Sequence, residues 1–414
     1  MQIADREIAG GGAQQKPSWL DRKRIVAYSA VFLLCQLLVL GIWAVRWALH
    51  DAGTPPMGVD FRVFWSASYL SLHDSPLAAF DPSRLGGILD SMFPDHYAPW
   101  VYPPTFQLLI YPLALLPYTL SYVSFCAIGI ACLLWAFPPS GRRGSLPWIA
   151  VVAFPGIWVA TANGQNSLLT AALAACALGL LDRRPWLAGV CAGMLVFKPQ
   201  LGVLFPLLFL CGRHFRALAA MAVTATLFIT VSTLVFGIPL WVKSFEAVSW
   251  FNAIVINDAS GGIMRATPSI FATARRLGAS VPVAYGVHAA IAIPVVLATL
   301  WLWTRRAPFE VKAAAAVIAT LLIQPYILYY DLAWLLLPIV YLCDDRTTRN
   351  AWTRLDGTLL CLAWCLPWLS LLPTYFPAML QPGVLILPAL FIVNHRDKLP
   401  QGVASIMNCL GMTK

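Results

Sequence analysis

Long apolar runs alternate with short polar ones along the whole chain. Runs of spanning character lie at 25–47, 118–137, 147–162, 165–181, 186–198, 200–211, 217–237, 284–304, 311–324, 328–343, 355–372 and 380–394. A helix rising about 1.5 Å per residue needs roughly 20 apolar residues to cross a hydrocarbon core of about 30 Å. Several runs are shorter, so their ends must draw on flanking polar residues or the bilayer must thin around them. One further apolar segment, "YPPTFQLLIYPLALLP" at 102–117, carries Pro103, Pro104, Pro112 and Pro117. Proline removes a backbone donor and breaks a helix interior, so this segment is read as re-entrant or interfacial. The pattern predicts an all-α polytopic membrane protein, a bundle of about twelve transmembrane helices.

Charge orients that bundle. "DRKR" (21–24), "RR" (142–143), "RR" (183–184), Arg213 with Arg216, "RR" (305–306), "DDRTTR" (344–349) and "HRDK" (395–398) should all face the cytoplasm. With twelve spans they do, and 20 of the 28 Lys and Arg fall inside against 8 outside. A crossing by 102–117 would invert every later loop. Residues 1–24 and 399–414 are then cytoplasmic tails around a membrane domain at 25–398. The outside holds two long loops, 48–103 and 238–283, and short turns at 161–166, 198–200, 325–331 and 373–379. The inner loops leave no room for a soluble domain, so chemistry is expected on the outer face. The first apolar run is too long for a typical signal-peptide core and shows no clear small-residue cleavage site, so it is read as a retained span.

Composition agrees. The chain is 59% hydrophobic and 11% charged, with a mean hydropathy of +0.73, where soluble domains carry roughly 25% charged residues. The net charge of +10 does not indicate nucleic acid, because the basic residues sit in small clusters between apolar runs and not on one face. Seventeen Trp, 13 Tyr and 21 Phe suit interfacial belts. The ten cysteines are scattered, most of them in apolar runs, with no C-x-x-C and no ligand spacing, so neither a disulfide framework nor a metal site is expected.

Few residues remain for chemistry. Asp60 follows the first span by about a dozen residues and opens "DFRVFWSASYL". Phe61, Phe64, Trp65, Ser68 and Leu72 recur at helical spacing, which predicts an amphipathic interfacial helix. Asp60 is then either the N-cap of that helix or a general base at the water–lipid boundary. No Asp or Glu lies between Asp95 and Asp182 or between Asp182 and Glu246, which disfavours a relay of buried carboxylates such as a transporter uses. The acids in reach of an outer site are Asp60, Asp74, Asp81, Asp90, Asp95, Glu246, Asp258 and Asp331. Lys198, in "LVFKPQLGVL", either snorkels to the surface or meets a lipid-linked phosphate. In "NGQN", Asn163, Gln165 and Asn166 either make turn chemistry or bind sugar hydroxyls. Tyr330 and Asp331 open a span, where Asp331 also suits a helix N-terminus. Arg265, Arg275 and Arg276 in the second outer loop depart from the inside bias and could meet an anionic head group.

Four segments taken in order, "DFRVFWSASYL" (60–70), "YPPTFQLLIYPLALLP" (102–117), "NGQNSLLTAALAACALGLLDRRPWLAGVCAGMLVFKPQLGVLFPLL" (163–208) and "QPYILYYDLAWLLLP" (324–338), resemble glycosyltransferase family 87. The resemblance spans about residues 55–345. It implies a GT-C-like architecture with interfacial helices in the first outer loop. It also implies a hexosyltransferase drawing its sugar, possibly mannose, from a polyprenyl phosphate. The family's acid after the first span matches Asp60, as catalytic base, and its lysine before proline matches Lys198. Where the family often reads Ser-Pro followed by a histidine or a Tyr-Asp pair, this chain has Gln324-Pro325 and Tyr330-Asp331. Lys198 and Arg265 are the expected ligands of the donor phosphate. Tyr102, Asn163, Gln165, Asn166, Gln200, Tyr330 and Asp331 are the substrate-binding candidates. The implied partners are the lipid-linked donor, a lipid or glycan acceptor and the bilayer of the inner or plasma membrane, with no cofactor and no metal. Transfer would invert the anomeric centre on the extracytoplasmic face. The rival classes are a flippase or transporter of a lipid-linked saccharide and a non-enzymatic assembly subunit.

Overall fold

The computed structural model describes residues 21–49, 57–92, 97–137 and 146–396, together with Asp51 and Thr54. Most of the tails, Asp95, Lys398 and the Arg142–Arg143 pair lie outside the described residues. Among the described residues the secondary structure is helical, without a strand.

Helix α1 (Arg22–Ala48) starts at Asp21, whose carboxylate accepts the Arg24 N–H at 2.8 Å. The chain then folds through α2 (Phe61–His73), a 3₁₀ turn (Pro76–Phe80), α3 (Pro82–Met92), α4 (Pro104–Ile110), a second 3₁₀ turn (Leu113–Leu115) and α5 (Tyr118–Ala136). The 102–117 segment is thus a seven-residue helix and a turn, far short of the roughly 20 residues of a spanning helix. The next apolar runs are broken helices. These are α6 (Trp148–Val152) and α7 (Pro155–Asn163), then α8 (Ser167–Gly179), α9 (Pro185–Met194), α10 (Pro199–Gly202) and α11 (Phe205–Cys211). Prolines at the first turn of α7, α9, α10 and α11 restart the chain after each break.

The second long loop of the sequence reading is itself helical. After α12 (Phe215–Phe236), Gly237 at φ 81° redirects the chain into α13 (Ile238–Asn257), α14 (Gly262–Ala266) and α15 (Ile270–Arg276). The bundle closes with α16 (Val281–Thr304), α17 (Phe309–Leu322), a 3₁₀ helix (Tyr329–Leu335), α18 (Leu336–Thr348), α19 (Arg354–Leu369), α20 (Leu372–Tyr375) and α21 (Gly383–His395).

Five helical stretches are long and apolar enough to cross a membrane: Arg22–Ala48, Tyr118–Ala136, Phe215–Phe236, Val281–Thr304 and Arg354–Tyr375. The other runs fold as shorter or interrupted helices packed among them. Two properties hold this bundle together without a water-driven core. The first is small residues at helix crossings. Gly189 and Gly193 of α9 face α12 so closely that an added Cβ would lie 2.2 Å from the Ala217 carbonyl and 2.7 Å from that of Met221. The run Ala313–Ala316 is buried at the centre of α17. The second is hydrogen bonding of buried polar side chains across helices. Gln36, midway along α1, donates to the Ala153 carbonyl at 3.0 Å, beside the break before Pro155, and accepts from Trp368 Nε1 at 3.1 Å.

One expectation is corrected. Helix α2 does not lie on a surface with one wet face. Phe61–Phe64, Ser66–Ser68, Leu70 and Ser71 are all buried, because α3, α4, α5 and both 3₁₀ turns pack around it. The 344–349 cluster is drawn into ion pairs. Arg346 is buried between Asp345 at 2.8 Å and Asp356 at 3.2 Å, and Arg396 bonds Asp356 at 2.8 Å, tying together the ends of α18, α19 and α21.

Gln36→Leu should unfold earlier than the parent protein by about 0.5–2 kcal/mol, the range for an interhelical hydrogen bond in a membrane. Thermal unfolding followed by tryptophan fluorescence in detergent checks this, and unchanged stability would mean that α1 is held by apolar contact alone.

Candidate active site

The site is built around one turn. Helix α7 ends at Asn163, Gly164 takes the left-handed conformation at φ 65°, and α8 begins at Ser167. A Cβ on Gly164 would sit 2.4 Å from Cβ of Phe61, so only glycine allows the turn to dock on the start of α2. Docking is completed by backbone bonds: the Gly58 N–H donates to the Ala162 carbonyl and the Asp60 N–H to the Asn163 carbonyl, each at 3.0 Å. Tyr118 and Tyr122 fix the two strands of this contact by donating to the carbonyls of Met57 and Thr161.

Asp60 precedes the first residue of α2, yet its side chain makes no capping bond. Its Oδ2 instead accepts from Gln165 Nε2 at 2.8 Å. Gln165 is held in that orientation because its Oε1 accepts the Asn166 N–H at 3.2 Å. The Tyr102 hydroxyl stands 3.4 Å from both amide atoms of Gln165. Burial pushes the Asp60 carboxyl above the usual carboxylate range. The Gln165 bond and the charges of Lys198 and Arg62 pull it back only in part. Burial and the nearby Asp60 charge likewise raise the Tyr102 phenol, which stays protonated. Asp60 nevertheless keeps partial exposure.

The other half of the turn holds a buried ion pair. Lys198 Nζ donates to Asp331 Oδ1 at 2.5 Å and to Asn166 Oδ1 at 3.1 Å, and Ser167 Oγ donates to the same Asp331 oxygen at 2.6 Å. Lys198 is only 4% and Asp331 5% exposed. The Tyr330 ring lies 5.6 Å from Nζ. Lys198 does not snorkel, since Pro199 ends its helix turn and the ammonium points inward to a partner. Its charge is already matched by Asp331. Asn166 Nδ2 is buried without a partner, a donor free for a ligand.

The structure therefore gathers Asp60, Tyr102, Gln165, Asn166, Lys198, Tyr330 and Asp331. Asn163 spends its amide on the Val159 carbonyl and the Tyr329 hydroxyl, as in turn chemistry. Gln200 is exposed, and its carbonyl accepts from Gln324. Arg265 joins none of these contacts. It bonds the Ser260 carbonyl, and its own carbonyl accepts from Gln381. Ser167 and Tyr329 were not singled out from the sequence. Ser167 abuts the "NGQN" turn, and that adjacency was the available signal.

A model of glycosyltransferase family 87 matches residues 100–325, more than half of the chain. No curated relative and no solved structure matches it. The matched span includes Tyr102, the 163–167 turn and Lys198. Asp60 and Asp331 lie outside it and are brought in by the fold.

The ion pair makes a stability prediction. Lys198→Met leaves a buried carboxylate unpaired and should cost about 3–5 kcal/mol. Lys198→Met with Asp331→Asn should lose clearly less than the two single changes summed. Thermal unfolding of the four proteins in detergent measures the coupling. Additive losses would show that the two charges do not depend on each other.

Proposed function

The chain belongs to glycosyltransferase family 87, and we propose that it is a multi-pass membrane enzyme transferring a hexose from a polyprenyl-phosphate donor to a lipid or glycan hydroxyl, with inversion. The observation that carries this reading is Asp60: a carboxylate released from capping, anchored through one oxygen by Gln165, raised by burial and still partly exposed. The second oxygen is the one available to an incoming hydroxyl. In the proposed reaction the acceptor O–H gives its proton to Asp60 as its oxygen forms a bond to the anomeric carbon. The bond from that carbon to the phosphate oxygen breaks on the opposite face, and polyprenyl phosphate leaves with the electron pair. One displacement inverts the centre, and the protonated Asp60 then releases its proton to water.

A base with a raised pKa suits this task better than an ordinary aspartate, because basicity rises with pKa. Asn166 Nδ2, buried and unpartnered, is the proposed donor to the sugar or to the leaving phosphate. Lys198 and Asp331 hold Asn166 and Ser167 and so keep this donor and Gln165 in register. The loop charges support placing this site on the extracytoplasmic face of the cell membrane, since the 57–60, 163–166, 198 and 324–331 segments lie away from the basic loops in a twelve-span arrangement.

Asp60→Asn keeps the size and the Gln165 neighbour but cannot take the proton. Transfer by the purified protein in lipid should fall ~10²–10⁴-fold, with donor binding measured in parallel and unchanged. Activity within a few-fold of the parent would end the assignment of Asp60 as base.

The pH profile tests the same carboxylate. Asp60 works deprotonated, so the rate should fall as pH drops through its raised pKa. The Gln165 bond lowers that pKa, so Gln165→Leu should move the acid limb of kcat/KM to higher pH. An acid limb that stays in place, or moves down, would show that the limb belongs to another group.

A further inference from the structure

The segment that brings Asp331 to the 163–167 turn has no regular structure where it starts. Helix α17 stops at Leu322, the 3₁₀ helix begins at Tyr329, and residues 323–328 between them contain neither helix nor strand. Such a connector needs partners outside itself for its carbonyls. Two of them are taken by side chains of the second long connection and of α16. Ser269 Oγ donates to the Pro325 carbonyl at 2.6 Å, and His288 Nε2 meets the Ile323 carbonyl at 3.1 Å. Ser269 and His288 are each 5% exposed. A carbonyl only accepts, so His288 Nε2 carries the ring proton, and Nδ1, buried and without a partner, holds a lone pair. Ser269 is fixed in turn, because its hydroxyl oxygen accepts the Ala272 N–H at 3.0 Å as the cap of α15.

The grip has further points. The Tyr326 and Tyr285 hydroxyls bond each other, and both rings pack on the buried Phe271, with centroids 5.2 and 4.5 Å away. Gln324 Nε2 donates to the Gln200 carbonyl at 2.6 Å, just past Lys198. The connector is thus held immediately before it delivers Tyr329 to Asn163 and Asp331 to Lys198 and Ser167.

We propose that Ser269 and His288 are positioning residues of the transfer reaction. By holding the Pro325 and Ile323 carbonyls they clamp the connector, which sets where Tyr329 and Asp331 meet the 163–167 turn and so where Gln165 presents Asp60. Neither side chain bonds a residue of the turn; each acts through the connector. The rival account is that burial of Leu332–Leu337 in the core holds Asp331 unaided. The connector itself argues for the bonds. Pro325, Tyr326, Leu328 and Tyr329 are only partly covered, so apolar packing leaves its path open and the two carbonyl bonds close it. A small shift matters here, since a misplacement of about 1 Å at a reacting group costs ~10²-fold in rate.

The inference rests on the reading that Asp60 and the 163–167 turn carry transfer, and the test separates the two. Full-length protein in lipid nanodiscs is compared as parent, Ser269→Ala, His288→Leu, the double variant, His288→Gln and Asp60→Asn. Amide hydrogen exchange read by mass spectrometry follows the 163–167 and 323–331 segments. Transfer from the polyprenyl-phosphate hexose that the parent uses gives kcat and KM separately. The double variant should exchange several-fold faster at both segments, with kcat down ~10–100-fold and the donor KM within a few-fold of the parent. Gln and Leu are of similar size, but Gln offers an N–H where Nε2–H stood, so His288→Gln should recover most of the rate lost in His288→Leu. Parent-like kcat in the folded double variant, unchanged exchange at 163–167, or His288→Gln as slow as His288→Leu each overturns the proposal. Ser269→Ala removes a single oxygen and carries the same readouts if the double variant does not fold. Exchange needs no activity, and Asp60→Asn should exchange as the parent does. An active Asp60→Asn beside loosened clamp variants overturns the base alone, and an inactive Asp60→Asn beside parent-like clamp variants overturns the clamp alone.

Discussion

The close approach of the 163–167 turn to the start of α2 is the constraint on which the site depends. It works only because Gly164 has no side chain to strike Phe61 and adopts φ 65° without strain. Once the turn is seated, consecutive residues serve different partners. Asn163 ties to Tyr329, Gln165 to Asp60, Asn166 to Lys198 and Ser167 to Asp331. Residues more than 250 positions apart are thereby placed on a single five-residue scaffold. The rigidity of that scaffold comes from helix ends: α7 stops and α8 starts within it, so neither end can slide without breaking the backbone bonds to Gly58 and Asp60.

Charge in an apolar bundle is otherwise managed by complete pairing. At one end Lys198 meets Asp331, and at the α18–α19–α21 junction Arg346 and Arg396 meet Asp345 and Asp356, where Thr353 and Asp356 also form a capping box. Such pairs are costly to break and carry little free energy to spend on a ligand. Asp60 is the contrast. It has a single side-chain hydrogen bond, to a neutral amide, and its carboxyl is raised. The buried orphan nitrogen of Asn166 is incomplete in the same sense.

Much of this was legible in the sequence. The twelve apolar runs all coincide with helices or pairs of helices, and five stretches are long enough to span. The prolines of 102–117 do interrupt it. The residues of the "DF", "NGQN", "KP" and "YYD" segments meet, the last three at ends of apolar runs and the first at the start of α2. What could not be read was which partner each polar side chain would choose. Lys198 before proline looks the same whether it snorkels or turns inward; the outcome was decided by Asp331, 133 residues away. Helix α2 shows an apolar stripe that suits a surface helix, and its burial depends on a roof of α3, α4 and two 3₁₀ turns that no local pattern announces. The packing of Gly189 and Gly193 against α12 was not read from the sequence.

The same reasoning separates the two roles a buried lysine near a lipid-linked donor can take. A lysine reserved for phosphate would be held by neutral groups, leaving its charge to the ligand. Lys198 is held by a carboxylate at 2.5 Å, with a hydroxyl on the same oxygen and an amide oxygen as its second acceptor. An approaching phosphate would have to compete with Asp331 for the ammonium, and the electrostatic gain would be offset by separating a pair already formed in low dielectric. Lys198 bonds Asn166, whose N–H bonds the Gln165 amide that in turn holds Asp60.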